Sequence, residues 1–173
     1  MLRVALIDKS YFYDNPFLIN NIVGDSVPVN ANISALNKSI LYYSDEYINH
    51  LLGEELAELF INAINTDIDN LESRFSTLLS KIVDSENTES ALQGYVYFNH
   101  RKNQMVISTN AGESKPSSEI GESTIDFSKL FIALKDCRKK TEKIVKFLTE
   151  NSETYPEWEF ETYKFCDANP LGL

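Results

Sequence analysis

The residues of this chain best suited to chemistry are two histidines, His50 and His100, two cysteines, Cys137 and Cys166, and a set of carboxylates that begins at Asp8. A zinc site needs several Cys, His or carboxylate ligands at close spacing, as in CxxC, HxxxH or HExxH. None of these patterns occurs, and the four Cys and His residues lie far apart in sequence. A thiol nucleophile with a histidine base would need the fold to bring Cys137 or Cys166 to His100. Cys137 falls at the edge of an apolar helix face, where a thiol packs as a small inert side chain, and Cys166 ends an aromatic run. Phosphate cradles need clustered glycines at a strand-to-helix turn, so that backbone amides approach the ligand. The six glycines form neither GxGxxG nor GxxxxGK, and there is no GxSxG elbow. The expectation is therefore no catalytic residue, no cofactor and no resident metal.

One carboxylate invites a different reading. Asp8 directly follows the apolar run Leu2-Arg3-Val4-Ala5-Leu6-Ile7, a placement that suits an acidic residue binding a metal at a sheet edge. This opening resembles that of PIN-type ribonucleases. The resemblance implies a metal-dependent nuclease with Asp8 as a Mg²⁺ ligand and Glu46 or Glu54, Asp126 and Asp167 as candidates to complete the site. It covers fewer than a dozen residues and departs from the family at Lys9, where a small polar residue is expected. The competing reading is that Asp8 caps or terminates the strand.

The pattern along the chain says which elements must position these groups. Residues 2 to 7 read as a strand buried on both faces. Asn15-Pro16 and Gly24 bracket a short helix over 16–23, the stretch 25–32 with Pro28 reads as extended, and 33–43 as another short helix. From Asp45 to Asp84, Ile48, Leu52, Leu56, Leu59 and Ala63, then Ile68, Leu71, Phe75, Leu78 and Ile82, keep helical spacing, with a break at Asn65-Thr66-Asp67. Gly94-Tyr95-Val96-Tyr97-Phe98 and Gln104-Met105-Val106-Ile107-Ser108 read as a β-hairpin. Its aromatics, with those of 158–165, have the planar faces that stack on bases, although Glu157, Glu159 and Glu161 would repel a phosphate backbone. Residues 110–124 form a polar, mobile loop. Ser123-x-x-Asp126 opens a helix to about Glu150, and Trp158, Phe160, Tyr163 and Phe165 mark a final strand. The expected fold is α+β in one domain over 1–173. A small mixed or antiparallel sheet of about four strands (N-terminal strand, central hairpin, C-terminal strand) is covered by four to five helices.

The formal charge of −10 argues against a protein whose main task is gripping nucleic acid, because that grip comes from Lys and Arg neutralising phosphates. The average hides a segregation. Between Ser39 and Ser73 there are eight acidic residues and no Lys or Arg, whereas Phe127 to Leu148 holds seven of the sixteen basic residues. At about 100° per residue, the later helix gathers Phe127, Leu130, Phe131, Leu134, Thr141, Ile144, Val145 and Leu148 on one side. Lys135, Lys139, Lys143 and Lys146 gather on the other, with Ile132 and Phe147 near them. On the acidic helix Glu54 and Glu58 fall opposite the apolar stripe, with Tyr47 and Ile61 beside them. That face, Tyr47, Glu54, Glu58 and Ile61, reads as a docking surface in which apolar anchors sit inside a steering rim. Lys135, Lys139, Lys143, Lys146 and Phe147 form a second candidate face able to contact phosphate.

No apolar run approaches the length of a membrane span or a signal peptide, so the expected compartment is the cytoplasm, with both cysteines reduced. Abundant Asn, Ile and Lys suit an AT-rich microbial or phage genome. The leading expectation is a non-enzymatic protein–protein interaction module of the immunity-protein, antitoxin or inhibitor kind, or an accessory subunit of a larger assembly. Its partner is another protein with a basic surface, with nucleic acid touched only locally and no membrane involved. The alternatives are the nuclease built on Asp8 and a subunit that contacts nucleic acid through its basic helix.

Overall fold

The computed structural model describes residues 1–14, 16–84, 89–104, 107–109, 112–114 and 127–159. Four helices account for most of them: α1 (Val27–Thr66), α2 (Ser73–Ile82), α3 (Ala91–Gln104) and α4 (Phe127–Glu150). Two antiparallel pairings accompany the helices, β1 (Val83–Asp84) with β2 (Glu89–Ser90) and β3 (Ile107–Thr109) with β4 (Gly112–Ser114). These are turn-sized ladders, too small to be a sheet that helices cover, and the fold is all-helical. The α+β expectation, with its four-stranded sheet, is thereby corrected.

Each misplaced element has a physical cause. Residues 2 to 7 bury Leu2, Leu6 and Ile7 but pair with no strand among the described residues. Their backbone bonds are made to side chains of α1 instead: the Leu2 amide donates to Asp45 Oδ1 at 2.6 Å, the Arg3 amide donates to Asn65 Oδ1 at 2.7 Å, and Asn65 Nδ2 donates to the Met1 carbonyl at 3.0 Å. Residues 16–23 bury Phe17, Ile19 and Ile22 without forming the expected helix. Pro28 occupies the first turn of α1 rather than an extended segment, since a helix start has no use for the missing N–H.

The expected hairpin over 94–108 is mostly α3. Every residue from Ala91 to Phe98 is buried, so this helix is apolar on all sides, and its Tyr-Val-Tyr-Phe run has no amphipathic period to betray it. Ile107 and Ser108 do pair in a ladder, but with Ser114 and Glu113 rather than with 94–98. Trp158 and Glu159 are not in a strand. The remainder of the expected final strand, most of the 110–124 loop and the Ser123–Asp126 cap lie outside the described residues.

α1 is two helical halves joined at Gly53, whose φ of 73° and ψ of 175° are accessible to glycine and strained for other residues. Just before the kink the Leu51 carbonyl accepts a 3.0 Å hydrogen bond from the Trp158 indole N–H, which is buried with it. α1 ends at Thr66, at the break expected from Asn65-Thr66-Asp67. Asp67 organises the turn by accepting from the amides of Asp69 and Asn70 and from Asn70 Nδ2. The buried side chains of α1, α2, α3 and α4 belong to one apolar cluster that also takes in Tyr155 and Trp158.

Candidate functional site

The two charged faces sit on different elements and neither covers the other. On α1, Glu54, Glu55 and Glu58 are exposed, but Tyr47 and Ile61 are 0% and 4% exposed and belong to the core. They are not anchors of an acidic docking surface. Tyr47 instead reaches α4, its hydroxyl 2.8 Å from Thr141 Oγ1. Because the single Thr141 hydroxyl proton goes to the Cys137 carbonyl at 2.8 Å, Tyr47 is the donor in that pair. The apolar residue left on the acidic face is Leu59, 40% exposed, next to Glu58 in sequence and one turn on from Glu55.

On α4, Lys135, Lys139, Lys143 and Lys146 are exposed, as expected from the 3.6-residue period. Two ion pairs on this helix are local: Lys140 with Asp136 at 2.8 Å and Lys146 with Glu150 at 3.7 Å. Lys135, Lys139 and Lys143 have no carboxylate partner among the described residues. Phe147 is not an open-face residue. It is half-buried, packs edge-on against Tyr155 at 5.8 Å and lies under the Lys81 ammonium at 5.6 Å. At the other end of the helix Phe131 and Ile132 are 60% and 47% exposed. Ile132 lies on the stripe of Lys135, Lys139 and Lys143, whereas the exposed Phe131 departs from the buried side on which the helical period places it.

A cleft of about 370 Å³ opens beside this face, where the end of α2 and the start of α3 meet α4. Its polar lining is Lys81, Lys140, Lys143, Ser80 and Ser90, and its apolar lining includes Ile82, Ile144 and Phe147. Lys81 and Lys140 were missed as site residues from the sequence. They come from helices far apart in the chain, and no local pattern links them.

Two of the groups that suggested catalysis, His100 and Asp8, are occupied structurally. His100 is 5% exposed. Arg101 donates to Gln104 Oε1 at 2.8 Å, which fixes the amide so that Gln104 Nε2 faces His100 Nε2 at 3.0 Å. The imidazole proton is then on Nδ1 and is donated to Ser39 Oγ, 2.9 Å away, so this histidine cannot act as base toward that hydroxyl. Burial, and secondarily the Arg101 charge, hold His100 below its ordinary pKa and keep it neutral. Cys137 is buried against Thr141; Cys166 lies outside the described residues.

Asp8 is the N-cap of a 3₁₀ turn over Lys9–Phe12, its carboxylate accepting from the Ser10 amide at 2.7 Å and from the Ser10 hydroxyl. Glu46 accepts from the Tyr95 hydroxyl at 3.0 Å, and Glu54 stands exposed on α1. Asp126 and Asp167 lie outside the described residues. Among the described residues, no three His, Cys, Asp or Glu side chains come together as metal ligands. Comparison with protein-family models, with curated proteins and with solved structures finds no match, so the functional reading rests on this geometry alone.

Proposed function

We propose that this chain is a non-enzymatic protein-interaction module of a cytoplasmic microbial or phage assembly, of the immunity-protein, inhibitor or accessory-subunit kind, and that it docks an acidic surface of its partner on the outer face of α4. The observation that carries this reading is the exposure of Phe131 and Ile132, 60% and 47%, beside Lys135 and Lys139. Two adjacent large apolar side chains left in water on a helix whose other described apolar side chains are buried or half-buried form a docking anchor, and the lysines around them, without a carboxylate partner among the described residues, form a rim that attracts carboxylates. A nucleic-acid partner fits less well, because the remaining acidic surface of a chain of net charge −10 repels a long polyphosphate. Among the described residues no helix is long and apolar enough to cross a membrane.

The test is to isolate the native complex at low salt and measure its association and dissociation rates. Lys135→Gln with Lys139→Gln should slow association and flatten its salt dependence, and Phe131→Ala should speed dissociation. Neither change touches the core. Rates equal to those of the unaltered chain for both variants would overturn the assignment.

A second reading keeps the acidic face of α1 and a partner with a basic surface, favoured by Leu59 at 40% exposure beside Glu55 and Glu58. Under it, Glu54→Lys with Glu58→Lys slows association and the α4 variants leave it unchanged.

A further inference from the structure

We propose that the cleft between α2, α3 and α4 binds a small phosphate-bearing ligand. This does not rest on the docking role of the α4 outer face. At about 370 Å³ the cleft is of a size that accepts a small molecule. Three lysines line it, Lys81 from the last turn of α2 and Lys140 and Lys143 from α4. Only Lys140 has a carboxylate partner among the described residues, Asp136 at 2.8 Å. Lys81 lies over the Phe147 ring, which satisfies it only partly, and Lys143 is exposed.

Like charges gathered around a concavity oppose folding, and in a chain with ten more acidic than basic residues the arrangement is not a by-product of composition. A dianion seated among these lysines offsets their charge. The two serines do not contribute their protons, since Ser80 donates to the Thr77 carbonyl at 2.7 Å and Ser90 to the Ile82 carbonyl at 2.9 Å. The anion is therefore held by ammonium charges, which recognise phosphate as point charges and discriminate by valence more than by shape. Ile82, Ile144 and the Phe147 ring supply an apolar floor on which the body of a phosphate ester can rest.

The experiment titrates the full chain with inorganic phosphate, pyrophosphate, adenosine monophosphate and acetate at constant ionic strength, following amide shifts by NMR and heat by calorimetry. Saturable binding of the phosphates, tighter for pyrophosphate than for phosphate and absent for acetate, is the expected result. Lys81→Met and Lys143→Met keep the aliphatic stems, and each should weaken binding by on the order of tenfold. Lys135→Met with Lys139→Met, on the open face, should leave it unchanged, and Lys143→Arg should retain it. Tighter binding of the monophosphate ester than of phosphate assigns the floor to an ester, and the reverse order assigns the cleft to the free anion. Non-saturable binding, or equal losses in the Lys81 and Lys143 variants and the open-face control, would overturn the proposal. Unfolding curves for each variant identify any loss due to misfolding, in which case Lys143→Arg and the pyrophosphate-to-acetate ratio of the unaltered chain decide.

Discussion

Gly94 of α3 lies so close to Ala133 of α4 that a Cβ built on the glycine falls 2.6 Å from the alanine's carbonyl oxygen and 3.0 Å from Cys137 Cβ. The first of these is backbone inside a helix and cannot turn aside. Gly94→Ala should therefore cost stability although alanine is the better helix former. Overpacking of about 1–3 kcal/mol exceeds the propensity gain of about 1 kcal/mol. A lower urea midpoint at unchanged slope checks this, and an unchanged or higher midpoint would mean that α3 and α4 can separate freely.

The Trp158 indole stands in for a backbone donor at the kink of α1, bonding the Leu51 carbonyl beside Gly53. Trp158→Phe keeps a ring in place but leaves that carbonyl without this bond in a buried setting, which should cost about 1–3 kcal/mol. Gly53→Ala should cost a similar amount, about 1–3 kcal/mol, through backbone strain. Because both act on one feature, the double variant should lose less than the sum of the two. Chemical unfolding followed by circular dichroism measures all three, and strict additivity would separate the indole from the kink.

The same kink explains what could be read from the sequence and what could not. The apolar period along 45–66 is real, but a single helical wheel carries one phase through Gly53. Before the kink Ile48, Leu51 and Leu52 are buried; after it the buried set is Leu56, Ala57, Phe60, Ile61 and Ile64, so Leu59 turns outward and Ile61 inward. The kink therefore accounts for Ile61, which one continuous wheel places beside Glu54 and Glu58, but not for Tyr47, which is buried ahead of it. α4 was legible because one side of it meets core and the other water, and its lysines lie where the period puts them. α3 was illegible for the opposite reason, having apolar neighbours all round. The cleft lysines were beyond reach because only packing joins α2 to α4.

Arg74 of α2 holds Glu157 with one nitrogen, 2.9 Å and 3.1 Å from the two carboxylate oxygens, while its guanidinium lies 4.4 Å from the centre of the Phe75 ring. Both side chains are partly buried, 26% and 17% exposed. Burial alone would raise the Glu157 carboxyl, but the Arg74 hydrogen bond and charge prevail and hold it below the ordinary carboxylate value. A lowered folded-state pKa means the stabilisation is complete above the unfolded value of 4.5 and is lost as pH falls through the folded one. Arg74→Met should cost about 1–2 kcal/mol at neutral pH and distinctly less in acid. A cost that does not change with pH would show that packing on Phe75, not the ion pair, is what Arg74 contributes.

His100 gives the second pH dependence, in a higher window. Its neutral ring donates from Nδ1 to Ser39 and accepts at Nε2 from Gln104, so a second proton would displace the Gln104 bond and place a charge in a buried site. Burial first, and the Arg101 charge second, lower its pKa from 6.5, so between the folded and unfolded values the unfolded chain binds more protons. Stability then rises with pH across that interval. It is complete above 6.5, falls as pH drops below that value, and levels off beneath the folded pKa. The slope for one group cannot exceed about 1.4 kcal/mol per pH unit. His100→Gln offers a donor and an acceptor at similar reach without a titrating proton. Unfolding free energies measured from about pH 5 to 7 should show a shallower slope for this variant than for the unaltered chain. Equal slopes would mean that the imidazolium is accommodated, with Gln104 turning its oxygen toward the ring and releasing Arg101.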